Sequence, residues 1–312
     1  MKNKKISITA VLLLGALTIM LSGCRANISS GTNDTLTGET YPNAEKYQTG
    51  AFTYNAADIK AVEIYWRSGK VEITESDNSE LHVKESGDEL SKDIAMHSFL
   101  DHGVLKIHFS KSGAKIQVNA TDKYLSLEVP KGIDLSVHTT SALVKADSLN
   151  QNSILIAAFS GSTKLGSITA DTVDLSSSSG SVYADSISAQ SLKCSTSSGS
   201  VDVGTVSVKT LDCNTSSGSV TIGSMVSEIV QITTSSGSVN LTLIKVPSAE
   251  IHTSSGTVDL ILAKGGAEVQ HISSSGKLLT DRSYDCKGDL YVFDEGAGNI
   301  TVETSSGNLK IQ

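Results

Sequence analysis

The 312-residue chain has few of the side chains that nucleic-acid binding requires. Aromatic residues make up only 4% of it, with a single tryptophan, so platforms for stacking bases or sugars are scarce. The formal charge is −8, and lysine and arginine are scattered without forming a basic patch. This balance disfavours nucleic acid or anionic lipid as the main partner. We therefore expect no nucleic-acid partner.

Beyond its N-terminus the sequence also lacks any apolar run long enough for a transmembrane helix. Three early lysines precede an apolar stretch from about residue 10 to 21, which is typical of a secretory signal peptide. The stretch ends in Leu21-Ser22-Gly23-Cys24, which resembles the lipobox of bacterial lipoproteins. The resemblance implies a signal peptide over residues 1–23 and a lipid on Cys24. The alternative is an ordinary signal peptide that contains a cysteine.

A lipid on Cys24 would place the protein on the extracytoplasmic face of the cell membrane. Removal of residues 1–23 takes away three lysines and no acid, which lowers the formal charge from −8 to −11. Residues 25–50 are rich in Thr, Asn, Gly and Ser and have no apolar periodicity. Such a composition cannot bury enough surface to offset chain entropy. We expect the lipidated cysteine and a flexible tether over residues 24–52, then an irregular N-terminal β region over residues 53–150.

A repeated phrase occupies most of the remaining chain. Thr-Ser-Ser-Gly-Ser-Val recurs with small variations, and its glycines are 19 residues apart before the last two steps of 20 and 31. These glycines are Gly161, Gly180, Gly199, Gly218, Gly237, Gly256, Gly276 and Gly307. Apolar residues alternate with polar ones on both sides of each glycine, and this alternation predicts half-buried strands. Each glycine is expected to supply a turn conformation that is closed to residues with a Cβ.

A 19-residue unit cannot bury its own apolar face, but stacked units can. The sequence therefore predicts an all-β protein: a parallel, β-helix-like β-solenoid with about 19 residues per coil. Its regular repeats should cover residues 151–281, with atypical β caps that include residues 282–312. Val201, Val220, Val239 and Val258 should form one inward column. A β-sandwich is the structural alternative, although the repeat lacks the Asn-Gly or Asp-Gly turns of hairpins.

Cysteine and histidine offer few chemical sites. Cys194 and Cys213 are one repeat apart at an inward position. They are either small buried hydrophobes in a column or a disulfide, which would leave Cys286 unpaired. No histidine stands near them at ligand spacing, so we expect no metal and no cofactor. His252 and His271 are 19 residues apart and could be neighbours on successive coils.

The chain resembles a known family from the strand ending in Val129-Pro-Lys-Gly132 through the Thr-Ser-Ser-Gly-Ser-Val repeats. This is the bacterial "putative adhesin" domain, and the resemblance covers roughly residues 55–312. It implies a domain of unknown function in membrane-linked proteins, some of which are associated with cell-envelope stress. The family defines no catalytic residues, so none is assigned here.

An enzyme is not expected. The Ser-Ser-Gly motif recurs in every coil, whereas a catalytic serine is normally singular and has a base beside it. We therefore predict a non-catalytic surface lipoprotein whose adhesin-like solenoid binds a cell-envelope or extracellular partner. That partner is a cell-wall polymer or another envelope protein, in addition to the membrane that the lipid enters. The alternatives are a component of the envelope stress response and a carbohydrate-active β-helix enzyme.

Overall fold

A computed structural model describes residues 35–87, 90–117, 123–263 and 265–312. The predicted signal peptide, Cys24 and the start of the predicted tether lie outside the described residues. Within them, the helices are two single 3-10 turns, Ala44–Lys46 and Ala56–Asp58. No helix in the described ranges is long and apolar enough to cross a membrane. The rest is β-structure, as the alternation of β-branched and small polar residues predicts.

The strands fall into three groups along the chain. The N-terminal group is β1 (Thr35–Thr37), β2 (Gln48–Thr49), β3 (Phe52–Asn55), β4 (Ala61–Trp66), β5 (Lys70–Ser76), β6 (Glu80–Ser86), β7 (His97–Asp101), β8 (Val104–His108), β9 (Lys115–Gln117), β10 (Tyr124–Pro130), β11 (Asp134–Thr139) and β12 (Leu143–Asn150). The middle group is β13 (Ser153–Ala158), β14 (Thr163–Ser177), β15 (Val182–Thr196), β16 (Val201–Thr215), β17 (Val220–Thr234), β18 (Val239–Lys245), β19 (Ser248–Thr253) and β20 (Val258–Leu262). The C-terminal group is β21 (Ala267–Ser273), β22 (Leu278–Thr280), β23 (Asp285–Lys287), β24 (Leu290–Phe293), β25 (Asn299–Thr304) and β26 (Leu309–Ile311).

The middle strands stack in parallel, and each paired residue faces the residue 19 positions later, apart from an irregularity between β17 and β18 where Met225 pairs with Leu243. Val201 pairs with Val220, Val220 with Val239, and Val239 with Val258, all parallel and almost fully buried. The predicted valine column is therefore present, and the predicted parallel β-solenoid is confirmed. The sandwich alternative is wrong for these strands, since it would require antiparallel pairs.

Two faces enclose the core. Face I stacks β8, β4, β11 and β13, then the second halves of β14 to β17, then β19, β25 and β21. Face II stacks β10, β5 and β12, then the first halves of β14 to β17, then β18, β20, β26 and β22. Inward positions of both faces are buried in nearly every coil, and most outward positions are polar or small, with a few large apolar exceptions such as Tyr183 and Ile229.

The repeat glycines have a different role from the predicted one. None of them adopts the left-handed conformation that a turn would require of glycine. Instead they stack on one another so closely that a Cβ on Gly218 would lie 1.8 Å from the carbonyl oxygen of Gly199. The same holds along the column, with Gly161 against Ala142 at 2.0 Å. The glycines are needed for close approach between coils and not for a special turn.

Only part of the predicted C-terminal cap, residues 282–312, lies at the end of the stack. Strand β25 pairs with β19 on one side and with β21 on the other, both in parallel. Strand β26 likewise lies between β20 and β22. The last coil of the chain is thus inserted between the two coils that precede it. The far end of face I is formed instead by β24 and β23, which add antiparallel strands beyond β21.

The N-terminal end repeats this arrangement. The first full coil, β4 and β5, lies between β8 and β11 on face I and between β10 and β12 on face II. A buried ion pair closes the core there: Nζ of Lys123 lies 2.5 Å from Oε1 of Glu85 and donates to the carbonyl of Ile94 at 2.6 Å. The ammonium also lies 4.0 Å from the ring centre of Phe109.

Part of the predicted tether is folded onto the domain. Strand β1 pairs with β9, and β2 pairs with β7. Between them, Tyr41 is buried and stacks on His108 with ring centres 3.7 Å apart. His108 stacks in turn on Tyr65, and Tyr65 on His138. The prediction of a flexible segment is therefore wrong for residues 35–52, because aromatic contacts compensate for their polar composition.

Candidate functional site

The outward surface of face II carries a groove across four neighbouring strands. Its floor follows one register column, in which Lys145 pairs with Lys164, Lys164 with Tyr183, and Tyr183 with Asp202. The groove encloses about 570 Å³. Because neighbouring strands are about 4.8 Å apart, the column extends for roughly 14 Å. We call this site the face II groove.

A second column of small residues makes the groove concave. Asp147, Gly166, Asp185 and Gly204 line it at the bend where each coil leaves face II. A Cβ on Gly166 would lie 1.7 Å from the carbonyl oxygen of Asp147, and one on Gly204 would lie 2.6 Å from that of Asp185. Only glycine fits at these two positions, so the surface is lower there than at the neighbouring carboxylates of Asp147 and Asp185. Backbone stacking therefore creates the shape of the groove.

The charges in the groove differ in how far they are already paired. Lys145 lies 3.2 Å from Asp147 and 3.4 Å from Glu72, and its hydrogen bond to Asp147 raises the pKa of Lys145. Lys164, Asp185 and Asp202 form no ion pair within the described parts of the chain. The groove therefore offers one cation and two carboxylates to a ligand.

Tyr183 provides the apolar surface of the groove. It is 42% exposed, although most large apolar side chains of the protein are buried. Its ring stands in register between Lys164 and Asp202, so a ligand would meet an aromatic face flanked by both signs of charge. An aromatic ring among hydrogen-bonding groups suits a polar polymer with apolar patches, such as a glycan.

The two inward cysteines lie side by side. Cys194 and Cys213 are register partners on β15 and β16, both buried, and both are thiols in the structure. Contact with Cys213, together with burial, raises the pKa of the Cys194 thiol well above its ordinary value. They occupy a column that Leu175 and Ile232 continue, so they pack as small hydrophobes. A disulfide between them stays a prediction, and Cys286 lies exposed on β23.

The structure does not bring His252 and His271 together. His252 pairs in register with Glu303 of the inserted coil, and its Nδ1 lies 2.9 Å from Oε2 of Glu303. His271 pairs with Val302 and points inward. The inserted coil separates the two histidines, and the register places Ile272, not His271, in the column of His252 and Glu303.

Sequence reasoning missed the face II groove. It followed the inward columns and the Ser-Ser-Gly phrase, whereas the groove depends on outward residues. A signal was nevertheless present: Gly166, Gly204 and Gly223 are separated by 38 and 19 residues, which marks a second glycine column. Lys145, Lys164 and Tyr183 follow the same 19-residue spacing. The structure shows that these two columns run beside each other.

The site shows no metal-binding geometry. In the part of the chain that the structure describes, no group of three or more His, Cys, Asp or Glu side chains could hold a metal ion. The carboxylates of the groove alternate with glycines along their column. The arrangement supplies hydrogen bonds and charge to a ligand laid across the coils.

The 19-residue register, the inward columns and the stacked glycines define the class of the protein: it is a parallel β-solenoid. The sequence model of the Toastrack DUF4097 family matches residues 59–312. The chain belongs to this family. No curated protein matches the chain with significant sequence similarity.

Several solved structures are similar to the chain at low identity. A "putative adhesin" from Parabacteroides merdae is 14% identical, with 86% of this chain and 96% of that chain covered and a TM-score of 0.45. A "putative adhesin" from Bacteroides fragilis is 11% identical, with 85% and 97% covered and a TM-score of 0.43. A "putative lipid binding protein" from Parabacteroides distasonis is 15% identical, with 85% and 97% covered and a TM-score of 0.42. Similarity at this level says nothing about a shared ligand.

Proposed function

We propose that the protein is a non-catalytic surface lipoprotein that binds a cell-envelope polymer through the face II groove. The lipid on Cys24 would hold it at the membrane, and residues 25–34 would connect the anchor to the domain. The observation that carries the proposal is the groove itself. It is a concave site that combines an exposed aromatic ring with charges that form no ion pair within the described parts of the chain.

The geometry supports binding of an extended chain molecule. The groove runs across the strands, so its long axis is parallel to the stack and each coil contributes one residue to its floor. Tyr183 offers a face on which a sugar ring could pack, and Lys164, Asp185 and Asp202 offer hydrogen bonds at both sides of that ring. A wall glycan carries hydroxyl, amide and carboxylate groups that complement this set.

The test is co-sedimentation of the full chain, in detergent, with an insoluble cell-wall fraction. Tyr183→Ala should weaken binding by about tenfold, since an aromatic contact and its buried area are lost. Tyr124→Ala is the matched control, because Tyr124 is 43% exposed and also lies on face II, outside the groove. Equal binding by both variants would contradict the groove as the binding site.

The charge of Lys164 provides a second test of the face II groove as the binding site. Lys164→Ala should weaken binding to a wall fraction that retains its carboxylates, and high salt should reduce the difference between variant and parent. Lys111→Ala is the control, because Lys111 is exposed and lies outside the groove, at the N-terminal end of the stack. A loss that is the same for both lysines would indicate general electrostatic attraction instead of a defined site.

A further inference from the structure

The C-terminal end of face I is an open sheet edge. Strand β23 is the outermost strand of this face, and β24 is the only strand with which it pairs among the described strands. Its three residues, Asp285, Cys286 and Lys287, are all exposed. The backbone N–H and C=O groups on the free side of an edge strand can pair with the edge of another chain. We call residues 285–287 the β23 edge.

The charges of the β23 edge are complementary to those of a second copy of the same edge. Asp285 and Lys287 point to one side of the strand and Cys286 to the other, because successive side chains alternate. In an antiparallel pair of two such edges centred on Cys286, each Asp285 lies opposite the Lys287 of the second copy. Opposite charges that face each other in this way attract, with Cβ atoms about 5 Å apart. Neither residue forms an ion pair within the described parts of its own chain.

A charge on an edge strand usually prevents pairing with another sheet. Charges of one sign would do so here, because they would repel their own copies across the antiparallel pair. The β23 edge instead carries one charge of each sign, at equal distances from its central residue, so both cross-strand pairs are attractive in this register. The open edge of face II at the same end, β22, has the sequence Leu-Leu-Thr and offers no such match.

The residues beside the β23 edge leave room for the second copy. The same register places Tyr284, which is 45% exposed, opposite the Gly288 of the other chain. A Cβ on Gly288 would meet nothing within 4 Å, so this position is open. An aromatic side chain also reaches its diagonal neighbour on the facing strand. The ring of Tyr284 would therefore cover the Cys286 side chain of the second copy and add apolar contact to the paired backbones.

We propose that two copies of this chain associate end to end by antiparallel pairing of their β23 edges, centred on Cys286. The association is isologous, since the same strand contributes on both sides of a two-fold axis. Face I then continues from one stack into the other. The contact is small, so the dimer is weak and exchanges readily. The face II groove lies on β12 and β14 to β16 and stays open, and the dimer does not depend on the function proposed for that groove.

Cys286 supplies the probe for the experiment, because it is exposed and central to the pairing. The full chain, in detergent, is treated with a short bis-maleimide that joins two thiols, and the joined peptides are identified by mass spectrometry. A product that links Cys286 to the Cys286 of a second copy should form. Cys286→Ser should abolish this product, whereas Cys194 and Cys213 are buried and should not contribute to it.

Reversal of charge then distinguishes a defined register from random collision. Lys287→Asp gives the edge two acids, and Asp285→Lys gives it two lysines, so each variant meets like charges at both positions of its own pair. Each alone should form the product at about a tenth of the parent's rate or less. An equal mixture of the two variants should restore the product, because every acid then faces a lysine. The masses of the variant peptides identify the mixed product.

The control has the same change of charge at a distance from the edge. Lys245→Asp lies on β18 and should form the product at the parent's rate. All of these residues are exposed, so the variants should keep the parent's β-sheet circular dichroism.

Three results would overturn the proposal. The first is that the parent forms no product between two Cys286 thiols. The second is that charge reversal at the β23 edge leaves the product unchanged, or reduces it no more than Lys245→Asp does, which would indicate random collision. The third is that the mixture fails to restore the product. Wall binding through Tyr183 is measured with a different variant and a different partner, so either proposal can fail alone.

Discussion

The stacked glycines show how much a single methyl group can matter in this chain. A Cβ on Gly218 would lie 1.8 Å from the oxygen of Gly199, and backbone cannot yield there without moving a whole coil. We expect Gly218→Ala to lower the free energy of unfolding by about 1–3 kcal/mol, as overpacking does. Ser217→Ala, one residue away and exposed, should change it by less than about 0.5 kcal/mol. Urea unfolding of both variants measures the difference.

The inward valines offer a second test at the residue scale. Val220 is fully buried between Val201 and Val239, so Val220→Asp places an unpaired carboxylate in the core. The expected cost is several kcal/mol, and the variant should be largely unfolded or should aggregate. Thr221→Asp, the next residue on the outward side, should fold normally. Comparable damage from both substitutions would contradict the assigned faces.

The proposed lipid anchor depends on one thiol. Cys24→Ala should abolish incorporation of a fatty-acid probe, because the acylated cysteine of a lipobox cannot be replaced by a residue without sulfur. The variant should also leave the membrane fraction. Cys286→Ala, which changes the exposed cysteine of β23, serves as the control and should keep its label. Undiminished label on the Cys24 variant would refute lipidation at this site.

At the scale of elements, the inserted coil joins its two neighbours into one unit. Strands β25 and β26 together pair with four strands, two on each side. A chain that ends at Ala297 loses all of these pairs and exposes the inward residues of both adjacent coils. We expect the free energy of unfolding to fall by about 3 kcal/mol or more. Hydrogen exchange should show lost protection in β20 and β22 together.

A milder truncation provides the comparison. Removal of Gln312 alone cuts its side-chain contacts with Asp259, its contact with Arg282 and two backbone hydrogen bonds, to Leu260 and from Leu262, so within β20 only the amide of Leu262 loses its partner. Protection in β20 and β22 should then persist. If the chain ending at Ala297 also keeps this protection, the two flanking coils have closed on each other, and the insertion is not needed for their stability.

Sequence reasoning succeeded for elements whose neighbours follow the 19-residue period. The alternation around Val220 predicts a strand, and the spacing to Val239 predicts its partner. It failed for the inserted coil, because the repeat motif around Gly307 is the same whether its coil is the last or the second to last in the stack. It also failed for Tyr41, since a lone tyrosine in a polar segment does not reveal that His108 lies opposite it. The face II groove could not be predicted, because the sequence does not reveal which outward columns lie next to each other at the bend.

At the scale of the whole molecule, ionisable groups limit the pH range of stability. Burial raises the pKa of Tyr41 and of Tyr65 to about 12. Both bind protons more tightly when folded, so the stability they confer is complete below pH 10 and is lost as the pH rises towards 12. Burial lowers the pKa of His97, His138 and His271. Their contribution is complete above about pH 6.5 and is lost as the pH falls below it.

The expected profile is therefore a plateau between about pH 7 and pH 9 with decline on both sides. Melting midpoints measured from pH 4 to pH 12 at constant ionic strength would show it. Tyr65→Phe should flatten the alkaline decline, and His271→Val should flatten the acid decline. A profile that stays the same in both variants would mean that other groups control the pH response.

The order of the coils has a mechanical consequence for a protein held by one end. If the coils stacked in chain order, force on either terminus would detach them one at a time, starting from the terminal coil. Here the first coil, β4 and β5, and the last coil, β25 and β26, are each clamped between two others. Tension on the N-terminal segment can detach β1 to β3 first, but to release β4 and β5 it must slide these strands past neighbours on both sides. The stack therefore resists force by shear, which is the kind of load that the proposed lipid anchor and the proposed polymer binding would place on it.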